Sequence, residues 1–189
     1  MNSRLNLFIF SLLLVAVTTA CKYFFGPVLS LSGFSPVLAI ALFSGMVIRK
    51  KEWLFIFPLV SLFLSDAIIH VLYQQGLFDY AGFYAGQWKN YLLLLSCTLL
   101  GWGLRGASHR TLLVGSVASP TVFFLLSNFM VWLNSSEAFY SKSMSGLMTC
   151  YAAGLPFYKN SLVATIVFLP LVLISFNYLT RKKASFTLA

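Results

Sequence analysis

Long apolar segments separated by short clusters of Lys and Arg constrain this chain more than any other feature of its sequence. In a hydrocarbon layer every backbone N–H and C=O must be hydrogen-bonded within the protein, so an apolar segment of about 20 residues predicts a membrane-spanning helix. Of the 189 residues, 59% are hydrophobic and only 9% are charged, whereas soluble domains carry about 25% charged residues. The chain is therefore predicted to fold in a membrane and not in water.

Six segments fit this pattern and predict an all-α, polytopic bundle that forms a single domain over residues 1–189. They are Leu5–Phe25, Pro36–Ile48, Trp53–Leu72, Tyr91–Leu104, Thr111–Leu133 and Leu162–Leu179. The second and fourth segments are short for a membrane span. They are expected either to borrow flanking residues, from Val28–Phe34 and Tyr84–Asn90, or to be partly re-entrant.

The distribution of positive charge predicts the orientation of the bundle, because cytoplasmic loops retain Lys and Arg during insertion. With the N-terminus inside, nine of the 13 Lys and Arg residues are cytoplasmic and four are outside, namely Lys22, Lys89, Lys142 and Lys159. The chain is thus predicted to be a multi-pass protein with both termini in the cytoplasm. The net charge of +9 is attributed to this orientation signal, so no nucleic-acid partner is expected.

Two features near the ends of the predicted helices leave alternatives open. Arg4, the apolar stretch after it and Thr18-Thr19-Ala20-Cys21 resemble a lipoprotein signal, and cleavage there would remove the first span. The apolar sequence that resumes after Cys21 favours an uncleaved helix. Cys21 and Cys150 would lie on the same side of the membrane, so a disulfide between them is a further alternative.

Polar side chains within the predicted helices indicate a candidate binding site. Asp66 is the clearest case, because a charge in the middle of a membrane helix costs about 2.5–3.5 kcal/mol on insertion scales and commonly marks a functional site. His70 follows at i+4 on the same helix face. The residues predicted to bind a ligand at this outer depth are Asp66, His70, Asn90, Tyr91, Asn128, Trp132 and Asn160. The alternatives are an isolated structural hydrogen bond for Asp66 and interfacial anchoring for the aromatic residues.

Two long outer segments, Leu72–Asn90 and Asn134–Ser161, connect the predicted helices. The first is rich in Tyr and Gly, and the second is predicted to contain a partly helical stretch at Met144–Ala153 before Gly154-Leu155-Pro156. Such segments form either a lid over a small ligand or interfacial segments in the headgroup region. The sequence leaves both possibilities open.

Catalytic and cofactor-binding motifs are absent from the sequence. It has no G-x-S-x-G, P-loop or H-E-x-x-H motif and no paired carboxylates, and its three cysteines lack the spacing of a metal site. The chain is therefore not expected to be an enzyme, to carry a cofactor or to bind a metal. Without an ATP-binding motif, active transport would require another subunit.

Four sequence blocks resemble an uncharacterised family of small bacterial integral membrane proteins. They are Gly33-Phe34-Ser35-Pro36 with the residues up to 45, Leu64-Ser65-Asp66, residues 127–132 and residues 150–160. That family is similar in architecture to the substrate-binding S components of energy-coupling-factor (ECF) transporters, a likeness at the level of the fold. The resemblance implies a six-helix protein of the bacterial cytoplasmic (inner) membrane.

S components bind a vitamin or its precursor near the outer surface and contact a transmembrane coupling subunit through an Ala-x-x-x-Ala face of the first helix. Carried over to this chain, Ala16 and Ala20 would form that partner-helix contact, although they lie past the middle of the helix. The implied partners are the lipid bilayer, the coupling subunit, its ATPase subunits and a small-molecule ligand. Gly33 stands where the uncharacterised family typically has Asn, so the first outer loop need not contribute to binding.

The preferred hypothesis is a membrane-embedded small-molecule binder, the specificity subunit of a vitamin or cofactor-precursor uptake transporter. It expects hydrophilic side chains from helices three to six to gather in a shared recess below the outer surface. A structural or assembly subunit, whose polar groups pair inside a larger complex, is the main alternative. A membrane enzyme that depends on Asp66 is a third.

Overall fold

Six α-helices make up the described part of the chain, which comprises residues 3–49, 51–105 and 109–180 of a computed structural model. The helices are α1 (Ser3–Phe25), α2 (Val37–Val47), α3 (Lys51–Gln74), α4 (Trp88–Gly103), α5 (His109–Asn134) and α6 (Met144–Thr180). These residues contain no strand, and the prediction of an all-α chain with six helices is confirmed. Four of the predicted cytoplasmic cations, Lys50, Arg181, Lys182 and Lys183, lie outside the described residues.

Four of these helices are long and apolar enough to cross a membrane, which indicates a membrane protein. They contain the spans Leu5–Phe25, Trp53–Gln74, Arg110–Asn134 and Met144–Leu179. The other two, α2 and α4, have 11 and 16 residues. At 1.5 Å per residue they extend only about 16 and 24 Å, less than the roughly 30 Å of a hydrocarbon core.

The short helix α2 lies in the centre of the bundle, where it contacts α3, α4, α5 and α6. All nine residues at positions 38–46 are buried, as expected of a helix that is apolar on every side. Its backbone touches that of α4, because a Cβ at Gly45 would lie 2.1 Å from the carbonyl oxygen of Thr98 and one at Gly101 would lie 2.3 Å from that of Leu42. Only glycine permits so close an approach.

Arg105 closes the C-terminal end of α2 from the turn that follows α4. Its Nε donates a hydrogen bond to the carbonyl oxygen of Gly45 at 2.9 Å, and its guanidinium also donates to that of Ile48. The last carbonyls of a helix lack partners within the helix and carry partial negative charge. The guanidinium therefore stabilises a helix end that is covered by protein.

Successive helices run in opposite directions. Phe10, near the start of α1, packs against Phe57 near the start of α3 and Phe176 near the end of α6, with ring centroids 6.1 and 5.3 Å apart. At the other end, Lys89 at the start of α4 donates a hydrogen bond of 3.1 Å to Asn134 at the end of α5. We call this second end, where α1, α3 and α5 finish, the distal end.

The last helix differs most from the sequence-based prediction. The sequence predicts a helix over Leu162–Leu179 after a break at Gly154-Leu155-Pro156, but α6 is continuous over 37 residues with Pro156 and Pro170 inside it. A proline removes one backbone hydrogen bond, a loss that packed membrane helices tolerate. Gly154 also packs tightly on α5, since a Cβ there would lie 2.4 Å from the side-chain oxygen of Asn128. The expected long outer loop is thereby reduced to residues 135–143.

The structure decides against two further alternatives that the sequence leaves open. Residues 28–34 do not extend α2 but form turns, in which the N–H of Phe34 donates to the carbonyl oxygen of Leu31 at 2.9 Å. Gly33 adopts a φ of 89°, a left-handed conformation that glycine allows without steric cost. Cys21, Cys97 and Cys150 are all free thiols, so the disulfide alternative is wrong.

Candidate functional site

Asp66 and three other polar residues form a connected group at the distal end. Asp66 Oδ1 pairs with the ammonium of Lys22, and Asp66 Oδ2 accepts hydrogen bonds from Gln87 Nε2 at 2.7 Å and from the Tyr91 hydroxyl at 2.6 Å. Asp66 is only 5% exposed. These residues, which we call the Asp66 network, join α1, α3, α4 and the loop formed by residues 75–87.

Lys22 is the more exposed partner of the ion pair and Asp66 is the more buried one. The Lys22 side chain is 22% exposed and that of Asp66 is 8% exposed. Lys22 also donates a hydrogen bond of 2.7 Å to Ser65 Oγ, whose own proton is donated to the carbonyl oxygen of Leu62 at 2.7 Å. The ammonium therefore lies between a carboxylate oxygen and a hydroxyl oxygen, both of which act as acceptors.

Gln87 fastens the 75–87 loop over Asp66. Besides its bond to Asp66, Gln87 Nε2 donates to the carbonyl oxygen of Gly82 at 3.1 Å, and Gln87 Oε1 accepts from the backbone N–H of Tyr84 at 3.1 Å. Gly82 rests on α3, because a Cβ there would lie 2.0 Å from the carbonyl oxygen of Asp66. The loop thus covers the ion pair and is held there by the buried Gln87 amide and by the packing of Gly82 on α3.

His70 lies under the same loop but outside the Asp66 network. Its ring packs against Phe83, with centroids 5.4 Å apart, and its Nε2 lies 3.3 Å from Gln74 Nε2. The other ring nitrogen, Nδ1, is buried with no hydrogen-bond partner. His70 therefore contributes mainly to packing beneath the loop.

Tyr84 and Asn90 extend the polar contacts towards the surface. Asn90 Nδ2 donates a hydrogen bond of 2.5 Å to the Tyr84 hydroxyl. Burial raises the pKa of Tyr84, and the nearby charge of Asp66 raises that pKa further, while the bond from Asn90 opposes the shift. The phenol therefore stays neutral at physiological pH.

Two other predicted site residues, Asn128 and Trp132, lie on α5 away from the network. Asn128 Nδ2 donates to the carbonyl oxygen of Phe124 at 2.9 Å, and the Asn128 side chain packs against Gly154 of α6. Trp132 Nε1 donates to the carbonyl oxygen of Ser141 at 2.9 Å. The Asn128 bond lies within α5 and its side chain contacts α6 at Gly154, whereas the Trp132 bond joins α5 to the end of the connection that leads to α6.

Asn160 lies in a third place, where it holds the α1–α2 connection. Its Nδ2 donates to the carbonyl oxygens of Ser30 and Ser32 at 2.9 and 2.8 Å. Within the described part of the chain, no hydrogen bond joins Asn128, Trp132 or Asn160 to Asp66. The structure therefore brings Asp66 and Tyr91 together, links Asn90 to them through Tyr84 and Gln87, and places the other residues in separate hydrogen-bonded groups. The expectation that these side chains from helices three to six gather in one shared recess is wrong.

Sequence reasoning missed Lys22 and Gln87 as members of the site. The sequence analysis places Lys22 only at the outer flank of the first helix and does not single out Gln87. A usable signal was present for Lys22, since a lysine in the last turn of one apolar helix and an aspartate in the outer third of another are at matching depths. Gln87 carried no such signal, because loop conformation decides where its amide points.

An open apolar groove of about 560 Å³ runs between α3 and α4 beside the network. It is lined by Leu59, Val60, Phe63, Leu64, Trp88, Tyr91, Leu92 and Leu95. Tyr91 belongs to both places, because its ring lines the groove while its hydroxyl bonds to Asp66. The groove itself offers apolar contact and almost no polar recognition.

The partner-helix residues predicted on the first helix are accessible. Ala16 and Ala20 are both exposed, on the same face of α1 as the exposed Leu12. This face is apolar and carries small side chains at two successive turns, which allows another helix to approach closely.

Comparison with curated proteins and with solved structures finds no match. The sequence of residues 2–187, almost the whole chain, matches DUF6580, a family of unknown function. This agrees with the resemblance to an uncharacterised family. The chain therefore belongs to the DUF6580 family.

Proposed function

We propose that this protein is a membrane-embedded small-molecule binder that acts as the substrate-specificity subunit, similar to an ECF S component, of a vitamin or cofactor-precursor uptake transporter. The observation that carries the proposal is the Asp66 network beneath the 75–87 loop. A charge placed among membrane helices is costly and usually serves a site. Here it lies at one end of the bundle, next to groups that reach the surface.

The arrangement supports a binding role because a loop covers the ion pair and one buried amide links that loop to the carboxylate. Gln87 is the one side chain of the loop that bonds to Asp66, and the Gln87 amide is buried. Rupture of the Gln87–Asp66 bond and of the packing of Gly82 and Phe83 on α3 would let the loop move away from the ion pair. A loop that opens in this way admits a ligand and then excludes water.

The orientation that we propose places the distal end outside and both termini in the cytoplasm of a bacterial inner membrane. Arg49, Lys51, Arg105 and Arg110 all lie at the end of the bundle opposite the Asp66 network. That distribution follows the positive-inside rule. The exposed Ala16 and Ala20 face then offers α1 to a coupling subunit, which would recruit the ATPase subunits.

Thermal unfolding of the purified protein in lipid nanodiscs tests the proposal against a panel of vitamins and cofactor precursors. A ligand should raise the unfolding temperature of the wild type, and Asp66→Ala should abolish that shift. Asn128→Ala is the matched comparison, because Asn128 lies in the α5–α6 contact and should leave the ligand response in place. Absence of any response in the wild type, with the protein folded, would refute the binding role.

A structural or assembly subunit is the second candidate, and one observation favours it. Both oxygens of Asp66 are already paired with groups of the same chain. The network would then serve only to join α1, α3 and α4. Co-purification after cross-linking separates the two candidates, since an assembly subunit should require its partner for stability and a binder should retain its ligand alone.

A further inference from the structure

We infer that the ligand of this site carries a protonated amine, which takes the place of the Lys22 ammonium between Asp66 and Ser65. The inference deepens the proposed binding function and rests on it. It follows from the hydrogen-bonding polarity of the groups around the ammonium and from the difference in mobility between the two charged partners.

The ammonium of Lys22 occupies a position surrounded by acceptors. Asp66 Oδ1 and Ser65 Oγ both accept from it. The Ser65 hydroxyl cannot act as a donor here, because its proton is engaged by the carbonyl oxygen of Leu62 at 2.7 Å. A group that binds at this position must therefore donate hydrogen bonds.

The other carboxylate oxygen, Oδ2, already accepts hydrogen bonds from two neutral donors. Gln87 Nε2 and the Tyr91 hydroxyl both donate to Asp66 Oδ2. They hold the carboxylate in place and leave Oδ1 as the position at which partners can be exchanged. Metal cations fit poorly, since Ca²⁺ takes six to eight oxygen ligands and Mg²⁺ demands six, whereas two oxygens suit an ammonium.

Mobility decides which charge leaves when a ligand enters. Asp66 has a short side chain that is 8% exposed and is fixed by three partners. Lys22 has a long flexible stem in the last turn of α1 and is 22% exposed. Its ammonium can swing out to the aqueous interface while its stem stays on apolar surface. The ligand thus replaces the cation, and an anionic ligand would have no route to displace Asp66.

A vacant-site experiment on the full-length protein in nanodiscs tests this directly. Lys22→Ala removes three methylene-type carbons and the ammonium, a fragment equivalent to n-propylammonium. We expect n-propylammonium chloride to raise the unfolding temperature of Lys22→Ala in a saturable way, while 1-propanol and sodium propionate do not. The rescue should vanish in the double variant Lys22→Ala/Asp66→Asn.

Lys89→Ala is the matched control, because it also removes a lysine at the distal end but one whose ammonium donates to an exposed Asn134. It should show no response to n-propylammonium. In the wild type, the compounds of the vitamin and precursor panel that bind should carry a protonated amine. Ser65→Ala should weaken their binding about three- to tenfold, as expected for loss of one hydrogen-bond acceptor.

The outcomes separate failure of this inference from failure of the proposed function. If the wild type binds only neutral or anionic compounds, the binding function stands and the amine assignment is overturned. If it binds an amine with unchanged affinity in Ser65→Ala, the amine assignment is overturned as well. If it binds no compound while Lys22→Ala responds to n-propylammonium, the ammonium position is purely internal and both proposals fail. Should Lys22→Ala not fold, the Ser65→Ala comparison decides alone.

Discussion

The unequal exposure of Lys22 and Asp66 predicts that the two halves of their ion pair contribute unequally to stability. Lys22→Met removes the cation and leaves a carboxylate that is 8% exposed. Loss of one partner from a buried pair costs about 3–5 kcal/mol. Because two neutral donors remain on Oδ2, we expect a loss near the lower end, about 3 kcal/mol.

Asp66→Asn leaves the ammonium instead, and the consequence is smaller. Lys22 is 22% exposed and can extend to the interface, so its charge need not stay buried. The remaining loss comes from hydrogen bonds to a neutral amide in place of a carboxylate, about 1 kcal/mol. The double variant Lys22→Met/Asp66→Asn should resemble Asp66→Asn alone, because no unpaired charge remains inside.

Reversible unfolding in mixed micelles of a mild detergent and sodium dodecyl sulfate measures these free energies. Lys89→Met serves as the control, since its partner Asn134 is exposed, and should cost about 0.5 kcal/mol or less. A loss for Asp66→Asn that equals or exceeds the loss for Lys22→Met would refute the reasoning. It would mean that Lys22 cannot leave its site, and the exchange proposed for the ligand would be excluded with it.

Three further predictions concern packing, the loop and a helix end. Gly101→Ala should destabilise the protein by about 1–3 kcal/mol through overpacking against α2. Gly103→Ala, whose new Cβ has no atom within 4 Å, should be neutral or stabilise the protein by up to about 1 kcal/mol. The same detergent titration compares the two variants. Gln87→Ala should speed hydrogen exchange and proteolysis in the 75–87 loop with little effect on exchange in α2, and equal effects in both would contradict a local role. Arg105→Gln should cost about 1–2 kcal/mol because it leaves carbonyls of α2 without a charged donor, and an unchanged midpoint would show that the cap is not needed.

The number of helices could be predicted from the sequence because a membrane span requires a long apolar segment and because Lys and Arg cluster at the ends of such segments. The central position of α2 could not, although its short length was noticed. A helix that is apolar on all sides gives no periodicity to indicate which neighbour it meets, and Gly45 and Gly101 are far apart in the sequence. Only the packed structure shows that their backbones touch.

The continuity of α6 and the identity of the residues around Asp66 are two further features that the sequence alone did not predict. Proline is a strong breaker in water, so Pro156 predicted an interruption, but a helix packed against α5 keeps its other hydrogen bonds and tolerates the missing one. Asp66 was predicted as the centre of a site because an intramembrane charge is costly. Its partners were not all found, because the cost can be offset from any neighbouring element, and here the offset comes from α1 and a loop.

Lysine and arginine in this chain also bond to the carbonyl oxygens at helix ends. A cation at the end of an apolar segment is therefore not evidence of orientation alone. At the distal end, Lys142 donates to the carbonyl oxygens of Leu133 and Ser135, at 3.1 and 2.6 Å, and so closes the end of α5. Arg105 does the same for α2 at the opposite end. Helix ends in a membrane protein expose carbonyls that apolar surroundings cannot satisfy, so a cation near a C-terminus is favoured at either end. Lys22 is different, since its acceptors are side chains and not helix carbonyls. Under our proposal, the buried acceptors of Lys22 mark the position at which a ligand ammonium is held and released.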